Sequence, residues 1–118
     1  MTDNDEISGT QSPPLRIPLL TGEESHKPLL SPPQSLYLRS GHVVLAPGES
    51  VGLHSTGERE EMLIPLSGIG EMQVPGVQTL TVEPGFVLFN PPHTWHDVKN
   101  TGGVPLSYIY VVTISPEK

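Results

Sequence analysis

The chain has 118 residues, a formal charge of −7 and no cysteine, which makes it one domain by length and rules out both a disulfide framework and a thiolate metal site. Its six Lys and Arg residues are scattered, whereas a nucleic acid or an anionic membrane surface needs clustered cations. No apolar run approaches the roughly 20 residues that span a bilayer, and Met1 to Gly9 is acidic and lacks the apolar stretch of a signal peptide. A soluble, cytoplasmic protein with no nucleic-acid or membrane partner is the expectation.

Composition divides the chain near residue 34. Residues 1–34 hold six of the fourteen prolines and five acids. Such a stretch buries too little apolar surface to offset its own ordering entropy. It is expected as a proline-rich N-terminal arm, partly disordered or docked on the barrel or a partner subunit. Its apolar patches, Leu15 to Leu20 and Pro28 to Leu30, are the segments suited to docking in extended form. Residues 35–118 are expected as the folded domain.

From Gln34 onward short apolar runs alternate with turn signals. Ser35 to Ala46 alternates in part and stops at Pro47-Gly48-Glu49. Glu61 to Leu66, Gly70 to Val74 and Val77 to Val82 follow, closed in turn by Ser67-Gly68, Pro75-Gly76 and Glu83-Pro84-Gly85. Phe86 to Asn90, Trp95 to Val98 and Leu106 to Ile114 complete the series. Short strands with a turn every 8–12 residues indicate an all-β sandwich or barrel, and no segment sustains a helical period.

Two segments carry histidines among these runs. Residues two apart on a strand share a face, so His54 and Thr56 point the same way. Glu61 opens the next strand, and His96 lies in a strand entered after Pro91-Pro92. Two neutral imidazoles and one carboxylate on one face form a set that suits non-haem Fe(II), and Zn, Mn or Ni would accept it equally. Glu58 and Glu60 belong to the charge run Glu58-Arg59-Glu60-Glu61 and read as a solvated loop. Arg39 is a candidate anchor for a substrate carboxylate. Tyr37, Tyr108, Tyr110 and Trp95 are core or barrel-lining candidates. Met62 and Met72 read as packing residues, His42 as a loop or strand-edge residue, and His26 as part of the tail.

At these residues the sequence resembles the cupin superfamily. Gly48, five residues, His54-Ser55-Thr56, four residues, Glu61, six residues and Gly68 match the first cupin motif. Gly85, five residues, Pro91-Pro92-His93, two residues, His96, three residues and Asn100 match the second. Thr56 stands where the family has a second motif-one histidine, and His93 where it prefers glycine. The resemblance implies a small antiparallel β-barrel or jelly roll of six to eight strands, often a homodimer. It also implies a divalent metal on His54, Glu61 and His96, with water at the position Thr56 leaves open and Thr56 and His93 as neighbours of that water. On this basis an enzyme of dioxygenase or isomerase/epimerase type, acting on a small organic or sugar-like molecule, is expected. The alternative is a non-catalytic module that binds or senses a small molecule without metal.

Overall fold

The computed structural model describes residues 12–114, so the acidic first residues of the arm lie outside it. The described residues form nine strands and no helix: β1 His26–Leu30, β2 Leu38–Leu45, β3 His54–Ser55, β4 Glu61–Ser67, β5 Gly70–Val74, β6 Gln78–Val82, β7 Leu88–Asn90, β8 Trp95–Lys99 and β9 Leu106–Thr113. They make a five-stranded sheet in the order β1-β2-β9-β4-β7 and a four-stranded sheet in the order β3-β8-β5-β6. Every pairing is antiparallel. This is the all-β architecture that the spacing of turns predicts and the jelly-roll barrel that the resemblance implies, with one strand more than its six to eight.

The turns form where the sequence supplies the right backbone. Between β5 and β6, the Val77 N–H donates to the Val74 carbonyl at 2.9 Å. Pro75 presets the first corner of this turn and Gly76, at φ 76°, takes the left-handed second corner. Pro65 falls where β7 has ended and the β4–β9 register shifts, the kind of place where a strand tolerates a missing N–H.

Register brings defined rows of side chains to the inner face of the five-stranded sheet, because directly opposed residues project to the same side. One row runs Arg39, Val112, Glu61, Asn90; the next runs Gly41, Tyr110, Leu63, Leu88. A third pairs Val43 and Pro65 with Tyr108. Between the two sheets lies a core of Leu45, Leu63, Met72, Val82, Leu88, Val98, Leu106 and Tyr108. Each fully buried aliphatic side chain contributes about 1.5–3 kcal/mol relative to its exposed state. Gly41 is needed for space: a Cβ there would come within 2.5 Å of the Tyr110 hydroxyl, so the tyrosine ring lies across β2 at that point.

Pro28 to Leu30 lies extended on the barrel as part of β1, which pairs with β2 by setting His26 opposite Val43. Other expectations are corrected here. His42 is neither loop nor edge: it lies inside β2 and is buried. Its Nδ1 accepts the Leu20 N–H at 3.0 Å and its Nε2 hydrogen-bonds the Ser107 hydroxyl at 2.7 Å. Met72 is a core residue, but Met62 projects from the outer face of β4 and is largely exposed. Asn100 is structural, donating to the Leu45 and Val104 carbonyls at 2.9 and 2.8 Å.

Candidate metal centre

His54 and His96 are directly opposed across the β3–β8 pair, so their side chains share one face, with ring centroids 4.3 Å apart. Each imidazole is oriented through its Nδ1. That of His54 donates to the Gly52 carbonyl at 2.7 Å, and that of His96 to the Thr94 carbonyl at 3.1 Å. This fixes the tautomer, leaving Nε2 as the basic nitrogen.

Glu61 arrives from the other sheet. Its Oε1 lies 2.9 Å from His96 Nε2 and accepts a hydrogen bond from Asn90 Nδ2 at 3.2 Å. Burial pulls the His96 imidazole toward its neutral form. The Glu61 hydrogen bond, the Thr94 carbonyl and the charges of Glu61 and Asp97 outweigh it, so its pKa is raised. One donor atom from each of His54, Glu61 and His96 lies within 4.8 Å of the others, so small side-chain rotations suffice to gather them around one cation. The donor set fits a borderline divalent metal. Two oriented imidazoles and a carboxylate held by an amide are what such an ion takes, and the first contact a bound ion would replace is the proton shared by Glu61 and His96.

The cluster opens into a cavity of about 460 Å³. Its walls are largely apolar, with Val43, Leu63, Val98 and Val112 among them, and Tyr108, Tyr110, Arg39, Arg59 and His26 supply polar groups. Tyr110 shares a 3.0 Å hydrogen bond with His26 Nε2, and the two rings stack nearly parallel. Burial raises the pKa of both Tyr108 and Tyr110, so both hydroxyls are neutral donors at ordinary pH.

Other expected site residues play no part in the cluster. Thr56 lines the cavity, but its hydroxyl donates to the Pro91 carbonyl at 2.7 Å and accepts the Thr94 N–H at 3.0 Å. It clamps the segment after β3 to the turn before β8, and its proton is not available to a bound water. His93 occupies that turn at φ 58°, which explains the family's preference for glycine there. It is exposed, and it does not line the cavity. Glu58 and Glu60 are exposed, as a solvated loop requires. Tyr37 and Trp95 are exposed and lie outside the cavity wall. Sequence reasoning missed Asn90 and His26. Asn90 carried a signal: it is a polar residue at an inward position, two after Leu88.

Fold and site together describe a double-stranded β-helix barrel with a His-Glu-His cluster opening into its interior. The family model described as the cupin domain matches residues 41–112, and the chain belongs to that family. A structure described as a predicted oxalate decarboxylase from Thermotoga maritima is 27% identical, with 76% of this chain and 79% of that chain covered and a TM-score of 0.69. A cupin 2 conserved barrel domain protein from Salinispora arenicola is 25% identical over 76% of this chain and 74% of its own, with a TM-score of 0.64. An RmlC-like cupin from Methanocaldococcus jannaschii shares the fold at 15% identity, covering 88% of this chain and 94% of its own at a TM-score of 0.73. No curated protein sequence matches the chain.

Proposed function

We propose that this cupin is a metal-dependent enzyme acting on a small organic molecule, with His54, Glu61 and His96 holding a divalent ion at the inner end of the cavity. The observation that carries this reading is the convergence of three donor side chains, from both sheets, on one cavity. When bound, the ion would polarise a carbonyl or hydroxyl oxygen of the ligand. The chain's own residues do the rest. The Gly52 and Thr94 carbonyls aim the imidazoles, Asn90 holds the carboxylate, and the apolar wall offers the ligand's carbon frame a surface beside them.

The dioxygenase and isomerase/epimerase types are both compatible with this arrangement. The ion bears on the choice: a redox-inert Zn would leave only the second, because it cannot activate dioxygen. The alternative, a binding or sensing module, draws its support from Thr56. Its hydroxyl is committed to the backbone, leaving three ligands where metal-binding cupins usually have four. Metal uptake by the untagged protein, followed by a substrate screen on the loaded form, tests the proposal. Stoichiometric metal with turnover supports the enzyme, and absence of metal uptake supports the binding module.

A further inference from the structure

The cavity contains groups that the metal cluster does not use. Arg39 stands in the same cross-strand row as Glu61, two strands away, or about 10 Å between backbones at the usual strand spacing. It lines the cavity at its exposed rim, and its positive charge bears on the neighbouring Tyr110 hydroxyl. Arg59 lines the same cavity. In a chain of net charge −7 with six basic residues, two of them border this one opening. Among the described residues neither is ion-paired, the one ion pair being that of Glu61 with His96.

A second, independent observation lies deeper. Tyr108 is 3% exposed and lines the cavity, yet its hydroxyl makes no hydrogen bond to any described residue. Among the described residues no fully buried side-chain nitrogen or oxygen is left unpartnered, so this hydroxyl faces the cavity space, where the charge of Glu61 acts on it. A neutral O–H donor placed there without an acceptor among the described residues is a ready partner for a ligand oxygen.

We propose that the cavity takes a small carboxylic acid with an apolar body and a second oxygen function at its far end. The Arg39 guanidinium, assisted by Arg59, receives the carboxylate at the rim. The far oxygen enters between Tyr108 and the His54/Glu61/His96 cluster. The aliphatic wall accepts the carbon frame between these two ends, and Arg39 selects the acid against its neutral analogues because a guanidinium pairs bidentately with a carboxylate.

This rests on reading the cavity as a ligand site and is tested separately from the metal. Calorimetric titration of the full chain, metal-free and Zn-loaded, with 4-hydroxybenzoate, 4-hydroxybenzamide and benzoate supplies the comparison. The hydroxy acid is expected to bind about tenfold or more tightly than its amide. Arg39→Gln is expected to erase that preference at unchanged metal content, with Arg39→Lys restoring part of it. Tyr108→Phe is expected to bring the hydroxy acid down to the affinity of benzoate. Equal binding of acid and amide, a preference that survives in Arg39→Gln, or no heat from any of the three at millimolar concentration would overturn the proposal. A protein that takes up no metal yet discriminates the acid through Arg39 would refute the metal reading and leave this one standing. Metal uptake without discrimination would do the reverse.

Discussion

Glu61 and His96 meet at 2.9 Å although they come from strands of different sheets, β4 and β8. This contact joins the two sheets at the inner end of the cavity, and it is made from two groups that a metal would otherwise share. Proton and metal therefore compete for the same place, and metal affinity is expected to rise with pH through the range in which His96 loses its proton. Titrating Zn into the metal-free protein at several pH values checks this. Affinity that falls or stays flat as pH rises would contradict it.

In the metal-free protein, two histidines make folding stability depend on pH in opposite senses. The His96 pKa is raised above the ordinary histidine value of 6.5. Its contribution is therefore complete below that value and lost as pH rises through the higher folded one. The His42 pKa is lowered by burial and by Lys27. The folded state binds fewer protons there, so its contribution is present above the unfolded value and lost as pH falls through the lower folded one. Denaturation of His42→Gln should show the His96 dependence alone, with stability falling as pH rises. His96→Gln should show the reverse slope.

Asn90 is expected to matter for metal out of proportion to its distance from the ion. Asn90→Ala removes the amide that holds Glu61 Oε1 and should weaken metal binding by about 10–100-fold, as losing a partner that orients a ligand usually does. Isothermal titration beside the parent measures it. Unchanged affinity would mean that Glu61 is positioned without it.

Thr56 should prove structural. Thr56→Val breaks the links to Pro91 and Thr94 and should cost about 1–3 kcal/mol, whereas Thr56→Ser keeps both links and should cost much less. Metal stoichiometry should be the same in both. Loss of metal in Thr56→Val at preserved fold would make the hydroxyl a ligand.

Gly41→Ala should destabilise the barrel by about 1–3 kcal/mol, the usual cost of overpacking, because its Cβ meets the Tyr110 ring. In the double variant Gly41→Ala/Tyr110→Ala the two costs should not add, since the clash is gone. Urea denaturation of the four proteins closes the cycle.

The parts of this structure that the sequence announced are those governed by local rules. Strand β5, Gly70–Val74, falls where its turn signals set it, and β4, β6, β8 and β9 lie within a residue or two of expectation. The spacing of His54, Glu61 and His96 was legible because the motifs preserve it. What stayed hidden depends on contacts across the fold. Pro28 disguises β1, whose strand character comes from pairing with β2 and not from its own pattern. Gly41-His42 reads as a loop or strand edge, but the glycine makes room for Tyr110 and the buried histidine is hydrogen-bonded to Leu20 and Ser107. Met62 sits in a run that is apolar on both faces, so periodicity could not tell outer from inner. The open hydroxyl of Tyr108 has no local signature, because only the closed barrel places it on the cavity wall with no hydrogen-bond partner among the described residues.

The most direct test of the central claim is elemental analysis of untagged protein purified without chelators, beside the His54→Ala/His96→Ala double variant. Near-stoichiometric Fe, Mn, Ni or Zn in the parent, lost in the folded variant, is the expected result. A parent that holds no metal even after reconstitution, or a folded variant that retains it, would contradict a metal centre on His54, Glu61 and His96.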